Sequence, residues 1–73
     1  MADPAPTQVL ADLGSRNGYG GRRVEARIIA RGHLELLEVR MIVGNREHIV
    51  WLADWAADFV RDAIDQFRAR GGP

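Results

Sequence analysis

The stretch Val24-Glu25-Ala26-Arg27-Ile28-Ile29-Ala30-Arg31-Gly32-His33-Leu34-Glu35-Leu36-Leu37-Glu38-Val39-Arg40-Met41 decides how this chain is read. From Val24 to Ile28 apolar and polar residues alternate, the period of a half-buried strand. From Leu34 to Val43 the pattern is ambiguous, because Leu34, Leu37 and Met41 also line one side of a helix. Register resolves the choice. In a hairpin whose loop is Arg31-Gly32-His33-Leu34, one face sets Ile28 against Leu37, Ala26 against Val39 and Val24 against Met41. The other face sets Ile29 against Leu36, Arg27 against Glu38 and Glu25 against Arg40. One face is then apolar throughout, and the other holds two opposite-charge pairs, each contributing roughly 0.2–1 kcal/mol. A tighter loop would set Ile28 against Glu35 and Glu25 against Glu38. Because a slip of one residue exchanges the faces, this consistency is informative.

Downstream, Gly44-Asn45 ends the hairpin, and Asn45 is a good helix N-cap with Glu47 in the first turn. Arg68 and Arg70 suit a last turn, and Gly71-Gly72-Pro73 a stop. The spacing therefore predicts one long amphipathic helix over residues 45–70. Its apolar positions span about 140° at 100° per residue. A helix of about 26 residues is roughly 39 Å long, against roughly 26 Å for a strand of about eight. It would outrun the hairpin and leave Ile64 and Phe67 in need of cover. Ala56, Phe59, Ala63, Ile64 and Phe67 are the candidate oligomer interface.

Upstream, Thr7 to Leu13 reads as a short helix capped by Thr7 and stopped by Gly14. The run Gly14-Ser15-Arg16-Asn17-Gly18-Tyr19-Gly20-Gly21 reads as a loop, and Met1 to Pro6 as a loose tail. The expected fold is α+β. A flexible N-terminal arm (1–21, with a short helix at 7–13) precedes a ββα domain (22–70, hairpin 22–43, helix 45–70).

Seventy-three residues make one small domain. Such a chain buries only roughly 60–65% of its unfolded surface, and small chains compensate with disulfides, metals or oligomerisation. There is no cysteine, and neither His33 nor His48 has a ligand neighbour at metal spacing, so oligomerisation is the expected compensation. No cofactor or metal is expected. No apolar run approaches the roughly 20 residues of a membrane helix, and Met1-Ala2-Asp3-Pro4 lacks a signal-peptide pattern. Both favour a cytoplasmic location. All ten basic residues are arginine, which suggests a GC-rich bacterial or phage genome.

The formal net charge is zero, which argues against a general nucleic-acid coat. Locally the chain is bipolar. Arg16, Arg22, Arg23, Arg27 and Arg31 stand against Glu25 alone, whereas Glu47, Asp54, Asp58, Asp62 and Asp65 stand against Arg61 alone. On a continuous helix, Asp54, Asp58, Asp62 and Asp65 make one acidic stripe, with Trp51 among the carboxylates and Trp55 flanking the apolar side. Tryptophan is enriched in binding hot spots, so these six residues are the candidate partner-binding set. Such a stripe is also what an ordinary solvated helix face looks like, and the N-terminal segment folding over the tryptophans would explain them too. Tyr19, Arg22, Arg23 and Arg27 are candidates for nucleic-acid or phosphate contact, by stacking and charge neutralisation. They lack the spacing of a P-loop or dinucleotide fingerprint. Ser15 is the only serine and lies in the glycine-rich run, so no serine–histidine–acid set is in view.

The segment Ala57-Asp58-Phe59-Val60-Arg61-Asp62-Ala63-Ile64-Asp65-Gln66-Phe67 resembles the second helix of ribbon-helix-helix DNA-binding proteins. That resemblance implies a ribbon over Val24–Ala30 and a first helix over His33–Val43. The last helix is long for that family, and Glu25, Arg27 and Ile29 stand where polar base-reading residues are expected. Gly32-His33-Leu34-Glu35-Leu36-Leu37 with Arg40 resembles, across gaps, the hairpin of gas vesicle shell proteins, whose pattern lacks the long charged helix. The residues favour a non-catalytic protein-binding module. It would be a homo-oligomer that docks another macromolecule through its long helix, as a phage- or mobile-element-encoded inhibitor would. A dimeric ribbon-helix-helix-like DNA-binding regulator and a self-assembling structural subunit are the alternatives.

Overall fold

A computed structural model of the protein describes residues 6–71. Residues 1–5 of the N-terminal tail and the Gly72-Pro73 stop lie outside them. The elements are β1 (Thr7–Asn17), a 3-10 turn at Tyr19–Gly21, β2 (Arg22–Arg31), β3 (Leu34–Val43), β4 (Arg46–Leu52) and α1 (Asp54–Ala69). The four strands form one antiparallel sheet in the order β1-β2-β3-β4, so each strand pairs with its neighbour in sequence.

The β2–β3 hairpin has the register read from the sequence. Val24 faces Met41, Glu25 Arg40, Ala26 Val39, Arg27 Glu38, Ile28 Leu37 and Ile29 Leu36. Arg31 and Leu34 also pair, which tightens the loop to Gly32-His33 without moving the register. Gly44-Asn45 joins β3 to β4 in the same way, with Val43 facing Arg46. In both turns the leading glycine has φ of +62°, and among the described residues no other residue type has positive φ. A glycine-first, two-residue connection is the type II′ pattern that suits the twist of paired strands.

Three expectations are corrected. First, residues 45–53 are not helical. Asn45 is the second turn residue, Arg46–Leu52 is a strand on β3, and α1 runs for 16 residues from Asp54. The helical period read through this segment also accommodates a strand, and the β-branched pair Ile49-Val50 beside Trp51 favours one. Pairing with β3 supplies the backbone partners. At 16 residues the helix is roughly 24 Å long and does not outrun the strands. Second, residues 7–13 form part of β1 rather than a helix, and Gly14 to Asn17 continue it rather than forming a loop. The loop shrinks to Gly18–Gly21, closed by the Gly18 N–H donating to the Arg22 carbonyl at 2.8 Å. Third, His33–Val43 holds β3, so the first helix of a ribbon-helix-helix arrangement is not present.

β1 escaped recognition because it carries two register shifts, between Val9 and Ala11 and between Asp12 and Gly14. Each bulge inserts a residue. Val9, Asp12 and Ser15 therefore share a face at a spacing of three, facing Ile29, Arg27 and Glu25. That spacing imitates a helix. The Asp12 carboxylate accepts from the Gly14 N–H at 2.8 Å and braces the second bulge.

The register divides the sheet into two unlike faces. One carries Val24, Ala26, Ile28, Leu37, Val39, Met41, Val50 and Leu52, with Arg22, Arg46 and His48 toward one end; α1 meets β3 and β4 only sparsely, and all its residues from Arg61 on are exposed. The other carries Arg23, Glu25, Arg27, Glu38, Arg40, Glu47 and Trp51, with Ile29 among them. Among the described residues Ile29 is the only fully buried apolar side chain. The molecule is extended, with a radius of gyration of 14.5 Å against about 11 Å for a compact chain of this length. A chain starting at Gly18 is expected to lose its cooperative thermal transition in circular dichroism, because β2 becomes an edge and Ile29 loses Val9. An unchanged transition would mean that the N-terminal segment is a dispensable arm.

Candidate interaction surface

Glu38 is the most enclosed charge among the described residues, 3% exposed. It sits mid-β3 with Arg27 opposite on β2 and Trp51 opposite on β4. One carboxylate oxygen accepts from the Arg27 Nε at 2.5 Å and the other from the Trp51 Nε1 at 2.8 Å. Arg40 lies 3.6 Å from the same carboxylate and reaches Glu25 at 3.9 Å and Glu47 at 3.6 Å. The Arg40 Nε is buried without a hydrogen bond, and Glu47 is its nearest anion. Arg23 pairs with Glu25 at 3.0 Å and donates to the Ser15 hydroxyl at 3.1 Å. The hydrogen bonds from Arg27 and Trp51 hold the Glu38 carboxyl below its ordinary value, outweighing its desolvation. The same pairing raises Arg27.

Trp51 is therefore part of a strand-to-strand network and not of a helical acidic stripe. Its ring also carries the Arg31 guanidinium at 4.6 Å, a cation–π contact. Thr7–Asn17 does not fold over it, since β1 occupies the opposite sheet edge. Trp55, on α1, is 79% exposed, so the structure separates the two tryptophans. Asp54, Asp58, Asp62 and Asp65 do share α1 and all are exposed. Arg61 reaches Asp58 at 3.5 Å and Asp62 at 3.8 Å, contacts that contribute little at such exposure.

The candidate oligomer residues lie together on α1. Ala56 is half-buried, while Ala63, Phe59, Ile64 and Phe67 are exposed, Phe59 by 73%. Of the candidate nucleic-acid residues, Tyr19 is 94% exposed, but the arginines do not converge. Arg23 and Arg27 lie on the charged face in ion pairs, and Arg22 shares the apolar face with Val24. His48, expected in a first helical turn, is on β4 opposite Met41. Among the described residues no cluster of three histidines or carboxylates is placed to hold a metal ion, and no helix is long and apolar enough to cross a membrane.

Sequence reasoning missed two site residues on the apolar face, Arg16 and Arg46, and their grouping with Arg22. Arg16 faces Val24, Arg22 faces Val43, and Arg46 also faces Val43, so the three arginines stand at one end of that face. None is in an ion pair among the described residues. Only the four-stranded pairing brings them together, because they come from three strands. Leu13, Val24 and Ala26 line an open groove on the same face. Arg16, Arg22, Val24 and Met41 line a second groove of about 350 Å³. Comparison with protein-family models, curated proteins and solved structures finds no match.

Replacing Glu38 by Gln is expected to lower stability by about 1.5–3 kcal/mol at neutral pH, the range for a hydrogen bond to a charged group. Because the folded carboxyl is lowered from 4.5, its stabilisation is fully present above that pH. It is lost as pH falls through the lower folded value. Urea melts at pH 7 and pH 3 should show a smaller acid destabilisation in E38Q than in the wild type. Trp51→Phe should lose about 1.5–3 kcal/mol in the same melts by giving up the indole hydrogen bond to that carboxylate.

Proposed function

We propose that this chain is a non-catalytic protein-binding module that acts as a homo-oligomer and docks through α1, in a cytoplasmic setting. One observation carries the proposal. Trp55, Phe59, Ile64 and Phe67 are 79%, 73%, 48% and 65% exposed, along a helix that leaves much of the apolar sheet face half-open. The accessible surface of 6403 Å² compares with about 4,500 Å² for a compact monomer of this mass. Monomeric proteins rarely leave such contiguous apolar surface in water. The exposed tryptophan and phenylalanines are the residue types that dominate interface energetics.

A DNA-binding role has less support, because the arginines proposed for it are divided between the faces and two are neutralised by carboxylates. Multi-angle light scattering across a concentration series is expected to give a mass of at least twice 8.1 kDa. Phe59→Asp with Phe67→Asp should shift the protein to monomer, weakening association at least tenfold, with the circular dichroism spectrum retained. A wild type that stays monomeric at 100 µM, on the order of the weakest affinities worth considering for a specific oligomer, overturns the proposal.

A further inference from the structure

A sheet whose strands follow sequence order has two open edges, here β1 and β4. Each is a row of backbone donors and acceptors free to pair with another chain. The two edges are built differently. β1 is guarded. Two register shifts interrupt it, Gly14 within it has φ of +97°, and the Asp12 carboxylate already takes the Gly14 N–H. Bulges of this kind bend a strand away from straight pairing.

β4 carries none of these devices. Arg46-Glu47-His48-Ile49-Val50-Trp51-Leu52 pairs with β3 one-to-one, without a shift. It holds no proline, no glycine and no formal charge beyond Glu47. Ile49, Val50 and Trp51 are of the types that favour strands. Residues 46–51 are all exposed, so no described element shields this edge. A straight, apolar, unguarded edge is what a protein that stays alone avoids.

The strand itself points to the occupant. Two copies of β4 can pair antiparallel across a two-fold axis perpendicular to the sheet, which keeps like faces on the same side. Centred on Ile49, the pairing engages all seven residues of the strand; centring on His48 or Val50 leaves an end of each strand unpaired. On the charged face Ile49 then meets the partner's Ile49, and Glu47 meets the partner's Trp51. On the apolar face Arg46 meets the partner's Leu52. Charges are matched as well. Glu47 comes beside the indole that carries the partner's Arg31 guanidinium. Arg46, which has no ion pair among the described residues, comes beside the partner's Asp54, where α1 begins just after Leu52.

We infer that β4 pairs with β4 of a second copy, joining two four-stranded sheets into one of eight. The edges left over are the two guarded β1 strands, so the assembly closes at two copies.

This inference rests on the homo-oligomer reading and adds to it a backbone seam beside α1. The chain has no cysteine, so single introduced cysteines report on the seam. Ile49→Cys treated with diamide is expected to give a disulfide-linked dimer on non-reducing electrophoresis, because facing side chains of an antiparallel pair stand about 4.5–5.5 Å apart at Cβ. Leu10→Cys, on the β1 edge, should cross-link at least tenfold more slowly. Ile49→Asp should associate at least tenfold more weakly than wild type in sedimentation, because two carboxylates then face each other. Ile49 is exposed and faces Arg40, so the substitution leaves the monomer folded, which circular dichroism checks. If wild type associates but Ile49→Cys links no faster than Leu10→Cys, or Ile49→Asp associates as tightly as wild type, or the mass exceeds two copies, the closed β4 pair is overturned while the oligomer reading stands. A monomeric wild type overturns both.

Discussion

Three strands meet at one carboxylate. Glu38 is on β3, takes its hydrogen bonds from Arg27 on β2 and Trp51 on β4, and has almost no water. A buried carboxylate without partners costs several kcal/mol, so the sheet must deliver both donors to it. A one-residue slip of β3 against β2 would turn Glu38 onto the apolar face among Val24, Ala26 and Ile28. A slip of two residues in one direction would set it against Glu25. The contribution of this group lies less in net stability, which buried ion pairs seldom supply, than in excluding wrong registers.

Much of the architecture follows from that constraint. With β2, β3 and β4 locked, the charged face satisfies itself, through Arg40 between Glu25, Glu38 and Glu47, Arg23 beside Glu25, and Arg31 over Trp51. The opposite face is apolar because strand side chains alternate. The one helix among the described residues, α1, meets the sheet only sparsely, at β3 and β4. Apart from the buried Arg40 Nε, the polar groups of the charged face find partners within the chain, whereas apolar surface is left incomplete.

The β2–β3 hairpin was legible residue by residue, because facing pairs on a tight hairpin are a local matter. Once Arg27 faces Glu38, Ile28 must face Leu37. The presence of a C-terminal helix was equally legible from the period of Asp54 to Ala69, and so was the grouping of its acids and aromatics. β4 was not, because Ile49, Leu52, Ala53 and Ala56 continue the helical period backwards, and only the open edge of β3 draws Arg46–Leu52 into the sheet. Nor was β1, whose two bulges replace a period of two with a spacing of three.

The candidate surface divides in the same way. The sequence alone determined which residues can meet across a two-residue turn and which share a helix face, since chain connectivity and helical pitch set those distances. Tertiary structure alone decided that Trp51 belongs to the Glu38 network rather than beside Trp55. It also decided that Arg16, Arg22 and Arg46 stand together at the end of an uncovered apolar face. Those neighbours come from different strands, and long-range pairing places them through an edge's demand for hydrogen-bond partners, a demand that no local pattern records.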